Sequence, residues 1–459
     1  MMNKKVISKR KSFYLPIILI LCAAFITLSV ALVEVAIMQR KSSKTSQNKI
    51  DALGISEAGV SYYLWHLSHN NADYTDGNGA PQGGAPYGPY VHQYIDNTGK
   101  NIGSYSLLIT PPVNGSTVTT VESTGTLNGS STTRTVKAVL GIPSFSQYAV
   151  VTNNEIWFGD SENTNGPVHS NTGIHYDGTN NGIVSSANAS YVPATQFGGD
   201  GHTTHNGVWG SGGPTDQWIY PVPRINFQNI TADFLSLQTS AASGGKSLGK
   251  STGLGYYIQF LANGTYNLAT VTNSTLNQFS TTALVNQPAP ANGIIFAADH
   301  VWVSGTVHGR YTIAAATLPA AVATYRDITI TNNLVYTAKD GTDALGLAAQ
   351  RDVKVGPLSP NTLEINAAML AQNGRVYRPI CWNDNCGQGI YNIRNAITVY
   401  GSIGCFNYWN WTWVNGNNVI SGYRTTTQTY DQYLLYAPPP SFPLTGQYAL
   451  LSWREELNP

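Results

Sequence analysis

The sequence predicts a mainly β protein that begins with one long α-helix, and three features support this class. Only 11% of the residues are charged, whereas about 25% is usual in soluble domains. Glycine (45 residues) and tyrosine (27 residues) are abundant, which suits turns and strands. A single long apolar run lies near the N-terminus. The 459 residues are enough for two or three domains.

The apolar run predicts a membrane anchor. It begins at Phe13, ends at Val33 and contains no charged residue, and a helix needs about 20 such residues to cross a bilayer. The run is longer than the apolar core of about 7–15 residues found in cleaved signal peptides. Basic residues precede it, which favours a cytoplasmic N-terminus. We therefore expect a single-pass membrane protein whose body lies outside the cytoplasm or on the cell surface.

The charge distribution excludes one class of partner. Residues 1–49 contain nine basic residues and one acid, and the rest of the chain contains 16 basic and 23 acidic residues, a net charge of −7. Proteins that bind nucleic acid neutralise phosphates with basic surface. We therefore expect no nucleic-acid partner.

The anchor continues as a helical stem. Apolar residues resume beyond Glu34 at spacings of three to five, which fits one helical face. These residues are Ile50, Leu53, Ala58, Tyr62 and Trp65. The pattern predicts a helix over about residues 13–68, half in the membrane and half packed on the body, which Gly54 and Gly59 weaken modestly.

Residues 55–60 (ISEAGV), followed by Trp65 and Leu67, carry a resemblance to a known family. Together with the basic start and the apolar helix, they resemble the N-terminal region of PilX-like pilus-assembly proteins, which are accessory pilin-like proteins of type IV pili and related secretion systems. Residues 121–129 and 134–138 are similar to the strand pair that follows there. The later body resembles uncharacterised bacterial surface proteins. The resemblance implies other pilin-like or pilus-assembly subunits as partners.

Two positions depart from the pattern of pilin precursors. Ser12 stands where a glycine precedes the cleavage point, and Ile17 stands where the mature helix has a glutamate. Processing by a prepilin peptidase and incorporation into a fibre therefore stay open. A plain membrane tether fits these residues equally well.

A small antiparallel meander is predicted after the helix. Residues 70–90 are rich in turn formers and indicate a loop, and three alternating segments follow at residues 105–110, 118–126 and 133–140. Asn-Gly pairs at 114–115 and 128–129 favour tight turns between them. We divide the chain into residues 1–69 (tail, span and stem), 70–148 (loop and meander) and 149–459 (body).

Short apolar triplets between glycine and asparagine predict a β-solenoid body, in which each coil stacks on the next. Residues 301–307 (VWVSGTV) and 397–403 (ITVYGSI) are similar, as are residues 166–174 and 305–313. The irregular period leaves a β-sandwich as the alternative. Residues 228–285 are predicted to form an insertion with one or two helices. The triplets are 156–158, 174–176, 294–296, 301–303, 328–330, 334–336, 353–355 and 397–399.

The histidines and one acidic loop do not form a recognisable metal site. His202 and His205 have helical metal-ligand spacing but lie among glycines and lack an adjacent glutamate. Residues 160–166 depart from the spacing of a calcium loop. His169 and His308 occupy matching places in the repeated element, where structural positions are usual. We expect no metal, no cofactor and no enzymatic activity.

Charged residues in the second half of the body are interpreted as solvated coil corners. Glycoside hydrolysis needs a pair of carboxylates, and sequence spacing cannot show that they converge. The candidates are Asp299, Asp327, Asp343 and Asp352, with Arg310, Arg326 and Arg351.

Three tryptophans form the strongest candidate for a contact surface. In a strand, alternation would place Trp409, Trp411 and Trp413 on one face. Aligned indoles would suit a carbohydrate platform or a protein contact, or they would plug the end of the core.

The cysteines leave their pairing open. Cys381 and Cys386 are spaced for a small disulfide or for half of a zinc site, and free thiols are the alternative. Cys22 lies in the apolar run, and Cys405 stands alone.

Two functions follow from the sequence. The first is an anchored, pilin-like structural protein that assists type IV pilus-type assembly or adhesion. The second is a carbohydrate-binding or carbohydrate-active surface solenoid, with surface glycans as partners. A component of the transport machinery that stays at the membrane base is a third, weaker hypothesis.

Overall fold

The computed structural model describes residues 14–456 except 71–72, 82, 113–117, 161, 276–277, 382–390, 417 and 447, and the side chain at 232. The chain forms two compact units. The first comprises Met1–Pro112, Val118–Gly141 and Leu450–Pro459, and the second comprises Val113–Thr117 and Ile142–Ala449. The second unit is therefore inserted into the sequence of the first.

The first unit is one long helix and a five-stranded sheet. Helix α1 spans Tyr14–His69, and the strands follow one another in the sheet in chain order, with the last strand of the chain beside the fourth. The first four strands pair in an antiparallel manner. The strands are Tyr87–Ile95, Asn101–Thr110, Val118–Leu127, Thr133–Gly141 and Ala449–Glu456.

The second half of α1 packs on the sheet through one face. This face is buried, and its members recur every three or four residues, as a helix requires. Its members are Ala52, Ile55, Ser56, Gly59, Val60, Tyr63 and Leu67.

Glycines let the helix and the sheet approach closely. A Cβ at Gly125 in the third strand would overlap the carbonyl oxygen of Ala52 and the amide nitrogen of Ser56. A Cβ at Gly59 in the helix would overlap the side chains of Ser123 and Tyr105. Close packing, rather than flexibility, therefore explains both glycines.

A polar cluster fixes the C-terminal end of α1. The hydroxyl of Tyr62 donates to Asp76 Oδ1 at 3.0 Å, and His92 Nε2 in the first strand lies 2.6 Å from Asp76 Oδ2. Burial and the carboxylate of Asp76 raise the pKa of Tyr62 to about 12, so its hydroxyl keeps its proton at neutral pH. Asp76 thus links the helix to the first strand.

The second unit is a β-solenoid of parallel coils. Three sheets run along it, and each coil contributes strands to them in turn. Sheet 1 contains, in spatial order, Lys246–Leu248, Ile294–Ala297, Arg310–Ala315, Ala344–Ala349, the second halves of Thr362–Ala371 and Ile393–Cys405, Val150–Thr152, Val168–Ser170, Val184–Ser186 and Trp218–Ile219.

Sheets 2 and 3 complete most coils. Sheet 2 contains Gly255–Phe260, the first parts of Val301–Val307 and Ile328–Tyr336, Val353–Val355, Val376–Tyr377 and Trp409–Asn410. Sheet 3 contains the second parts of Val301–Val307 and Ile328–Tyr336, the first halves of Thr362–Ala371 and Ile393–Cys405, and Asn418–Tyr430.

Smaller elements complete the second unit. Ile156–Phe158, Ile174–Tyr176 and Val208–Trp209 form a separate parallel sheet, as do Asn163–Thr164 and Thr179–Asn180. Antiparallel additions are Tyr266–Ser274, Phe279–Thr281, Val285–Gln287, Thr412–Asn415 and the pair Ser190–Tyr191 and His205–Asn206. Short 3₁₀ helices are Phe145–Gln147, Thr195–Phe197, Thr215–Gln217, Phe227–Asn229, Val322–Thr324 and Gln432–Leu435.

The coils are not stacked in sequence order. In sheet 1, Ile403 pairs with Val150, so the coils formed by residues 150–219 stack on the last coils of the chain. The chain then continues through helix α2, Ile230–Ala242, and starts again at Lys246, at the far end of the same sheet.

Helix α2 covers the outer face of sheet 1. Its buried residues Ile230, Phe234, Leu237 and Ala241 recur every three or four positions. Several alanines among the outward side chains of the sheet leave room for the helix. The sheet side of this second core includes Ile294, Phe296, Ala314, Ala316, Ala348, Ala368 and Leu370.

The inner core of the solenoid is lined by alternate residues of each strand. Ile295, Ile313, Leu347, Met369 and Ile403 in sheet 1 are all buried and face inward. The glycine shared by the two similar heptapeptides, Gly305 and Gly401, has positive φ (111° and 151°) where its strand bends from one sheet to the next. The similarity of the two heptapeptides therefore marks corners of the coil. Gly305 lies at the corner between sheets 2 and 3, and Gly401 lies at the corner between sheets 3 and 1.

The predicted fold class is confirmed: the protein is mainly β, with a long N-terminal helix followed by a β-rich body. All three meander strands and all eight triplets lie in strands. The 128–129 turn follows its strand, whereas the 114–115 turn lies outside the described residues. The body is a solenoid and not a sandwich, because its coils pair in parallel.

Three details differ from the sequence-based expectations. The predicted loop at 70–90 contains the start of the strand Tyr87–Ile95. Of the one or two helices predicted in residues 228–285, α2 is present, whereas the second candidate, residues 272–279, begins in the strand Tyr266–Ser274, which pairs with Gly255–Phe260. The predicted body, residues 149–459, differs at its C-terminal end, because the strand Ala449–Glu456 returns to the sheet of the first unit. Long-range strand pairing decides all three, and local composition does not reveal it.

Candidate functional site

The N-terminal half of α1 presents an apolar surface. From Tyr14 to Met38 every residue is exposed, including all the large apolar side chains. This helix is long and apolar enough to cross a membrane. Phe13, the first residue of the predicted span, lies outside the described residues, whereas Val33, its last residue, lies within α1. The same helix therefore has a lipid-compatible half and a half that packs on the sheet.

The cysteines differ in state. Cys381 is disulfide-bonded, whereas Cys22 and Cys405 are free. Cys386 lies outside the described residues. Burial raises the pKa of the Cys405 thiol far above its usual value, so this thiol is not a reactive nucleophile.

The three tryptophans do not share one exposed face. The strand ends at Asn410 and a new one begins at Thr412, so the chain bends between the indoles and alternation is lost. Trp411 is 2% exposed within the inner core. Trp409 packs beside it in a T-shaped arrangement at 6.3 Å, and Trp413 Nε1 donates to the carbonyl oxygen of Arg378. Trp411 thus packs in the core, whereas Trp409 and Trp413 are half-buried beside it.

The candidate histidines lie in different environments. His169 is buried in sheet 1 and bonds to Ser185 Oγ and Asn171 Oδ1, whereas His308 follows a strand of sheet 3 and contacts Thr337. His202 is exposed, and His205 stacks on Trp209 at 3.7 Å. Among the described residues, no group of three or more His, Cys, Asp or Glu side chains could hold a metal ion.

Three stacked rings lie on the outer face of the sheet formed by Ile156–Phe158, Ile174–Tyr176 and Val208–Trp209. His175 lies between Trp157 and Trp209, with centroid distances of 5.6 and 3.8 Å and nearly parallel planes. Asp177 Oδ2 accepts hydrogen bonds from Trp157 Nε1 at 3.0 Å and lies 3.1 Å from His175 Nε2. This row occupies the outward positions of successive coils.

Three of the four predicted acids meet at the corner between sheets 1 and 2. Asp299 accepts from the backbone N–H and hydroxyl of Ser251, and Asp352 accepts from the backbone N–H of Arg375. Asp299 and Asp352 therefore each form hydrogen bonds with a neighbouring coil. Asp343 lies apart and accepts from the N–H of Gly309.

Asp327 is the most heavily paired of these acids. Arg351 donates to both of its carboxylate oxygens, each at 2.7 Å, and Lys354 Nζ donates at 2.7 Å. Although burial opposes ionisation, these two cations lower the pKa of Asp327 to about 2. Asp327 is therefore ionised at neutral pH and has no proton to give as a general acid. These acids are buried structural groups, not the solvated corners expected from the sequence.

A groove of about 850 Å³ lies over sheet 2 beside this corner. Its floor is a straight column, because Trp302 pairs with Thr329, Thr329 with Lys354, and Lys354 with Tyr377 in adjacent strands. Arg351 and Asp327 lie along one edge. The volume is typical of a pocket for a small molecule or short chain.

Sequence reasoning missed the groove, although a signal was present. Trp302, Thr329 and Lys354 are the central residues of three predicted triplets, and the outer residues of each triplet face the core. The central residues therefore had to face outward. Nothing in the sequence, however, showed which triplets are neighbours.

Comparisons with known proteins identify no family. No protein-family model and no curated protein matches the chain. One similar solved structure is that of the competence-associated pilin ComZ from Thermus thermophilus, at 12% identity, covering 90% of this chain and 98% of that chain, with a TM-score of 0.31. A likeness at this level carries no argument, so the pilin-like role stays a proposal.

Proposed function

We propose that the protein is a membrane-anchored, pilin-like structural protein that assists type IV pilus-type assembly or surface adhesion. The observation that carries this proposal is the division of α1 into two surfaces. Its first half exposes apolar side chains, and its second half packs on an antiparallel sheet. A helix of this kind anchors a folded body and offers its apolar half to lipid or to other pilin-like subunits.

The proposal assigns no catalytic role to the body. The acid nearest to the groove, Asp327, is fixed as a carboxylate by two cations, and Asp299 and Asp352 accept hydrogen bonds from neighbouring coils. Glycoside hydrolysis needs one carboxyl group that stays protonated to donate a proton. Adhesion through surface glycans is the role that the groove favours.

Arginine substitutions in the apolar half test the anchor. We expect Leu21→Arg with Leu28→Arg to move a large share of the protein from the membrane to the soluble fraction, because each arginine costs about 3 kcal/mol in the bilayer centre. Both leucines are more than 60% exposed and contribute nothing to the folded units. Fractionation followed by immunoblotting measures the distribution.

The matched control is Ser42→Arg with Ser46→Arg, two exposed positions in the polar part of the same helix. This control should stay in the membrane. Equal membrane retention of the two double variants would contradict the anchor. Copurification of the wild type with filaments sheared from cells would separate a pilin-like subunit from a plain tether.

A further inference from the structure

The groove over sheet 2 presents positive charge on a body that is otherwise acidic. The side chain of Arg351 is 46% exposed and that of Lys354 is 29% exposed, whereas the carboxylate of Asp327 beneath them is 2% exposed. The one acid among the described lining residues is thus hidden behind two cations. A ligand in the groove would meet the cations first.

A third cation, the fully buried Arg378, lies at the groove. The guanidinium of Arg378 donates to the carbonyl oxygens of Tyr391 at 2.6 Å and Asn392 at 3.2 Å, and its Nε–H is unpaired. Among the described residues, the charged or titratable groups that act on it are Tyr423 and Arg394, and neither is a carboxylate. Although burial lowers its pKa to about 10, Arg378 stays charged at neutral pH. Its positive charge therefore adds to that of Arg351 and Lys354 at this groove.

The shape of the groove suits a short chain of rings. It extends over five successive coils from Leu254 to Tyr377, or about 19 Å at about 4.8 Å per strand. The largely buried rings of Trp302 and Tyr377 line the groove, as does Thr329, which carries a hydroxyl group. Aromatic surface combined with a few polar groups is typical of sites for organic ligands.

We propose that this groove binds an acidic oligosaccharide, with Lys354 and Arg351 contacting its carboxylate groups. The inference rests on the adhesion role in the proposed function and names the class of its ligand. A nucleic acid is the less favoured occupant, because residues 50–459 have a net charge of −7.

Binding of defined tetrasaccharides tests this proposal. The full chain in lipid nanodiscs, which carry no sugar, is titrated with tetragalacturonate and with neutral cellotetraose by calorimetry. We expect tetragalacturonate to bind, with an affinity that falls as salt increases, and cellotetraose to bind at least tenfold more weakly. Lys354→Gln should weaken tetragalacturonate binding about tenfold, because a charge-assisted contact is lost.

Lys339→Gln is the matched control, because Lys339 also pairs with a carboxylate, that of Glu364 at 2.9 Å, but does not line the groove. It should bind as the wild type does. Leu254→Glu is a second variant that keeps the test valid if Lys354→Gln unfolds, since Leu254 is exposed in the groove wall and a negative charge there should repel the ligand.

Four results would overturn the proposal: no binding of tetragalacturonate, equal binding of cellotetraose, wild-type affinity in both groove variants, or tighter binding of single-stranded DNA. None of them bears on the anchor, because the nanodisc assay needs neither a pilus nor a cell. Likewise, failure of the membrane fractionation test would not contradict the proposal that the groove binds an acidic oligosaccharide.

Discussion

Replacing Phe234 with alanine should lower the melting temperature of the second unit by about 10 °C. Phe234 is fully buried between helix α2 and the outer face of sheet 1. Removing a buried phenylalanine typically costs about 3–5 kcal/mol, and a large domain loses about 2–4 °C per kcal/mol. Thermal unfolding of the full chain, followed by circular dichroism, measures the shift.

The neighbouring residue in the same helix provides the control. Leu235 is 57% exposed, so Leu235→Ala should change the melting temperature by no more than about 2 °C. Similar shifts in the two variants would mean that α2 does not cover sheet 1. The comparison therefore tests whether α2, which connects the coils of residues 150–219 to the coil that begins at Lys246, packs on sheet 1.

The second large effect is expected at Gly125, where the backbone of α1 touches the sheet. Alanine at this position should destabilise the first unit by about 2–3 kcal/mol, because its methyl group would overlap backbone atoms of Ala52 and Ser56, which cannot rotate away. Circular dichroism of the full chain in detergent, with limited proteolysis of the first unit, measures the loss.

Gly54 provides a control of opposite sign. A Cβ at Gly54 meets nothing within 4 Å, so Gly54→Ala should stabilise the helix by up to about 1 kcal/mol, as is usual for glycine in a helix. If Gly125→Ala is neutral, or if both variants stabilise, the close packing of helix and sheet is wrong.

The sequence predicted most of the local elements. The apolar run and its continuation predicted a helix over residues 13–68, and α1 spans Tyr14–His69. The triplets predicted strands because two inward side chains flank an outward one. These successes depend on periodicity within a few residues, and that information is fully present in the sequence.

The order of the coils could not be predicted. Residues 150–219 stack after residues 393–405, and no local pattern records that Ile403 meets Val150. For the same reason the groove was missed, since Trp302, Thr329 and Lys354 line up only once their strands are paired. Burial of Trp411 was also hidden, because the bend before Thr412 interrupts an apparently continuous alternation.

Glycines illustrate the same limit. Gly54 and Gly59 look alike in the sequence, as two helix-weakening residues. In the structure, a Cβ at Gly54 meets open space, whereas Gly59 lies against Ser123 and Tyr105. Only the tertiary contact distinguishes them.

The central claim is that α1 holds the body outside the cytoplasm. Its most direct test is labelling of Val322→Cys, a 77% exposed position in the solenoid, with a membrane-impermeant maleimide. Spheroplasts are labelled before and after lysis, with the wild type as background and a cytoplasmic thiol protein as the lysis control. We predict full labelling of Val322→Cys before lysis. Labelling that appears only after lysis would place the body in the cytoplasm and contradict the claim.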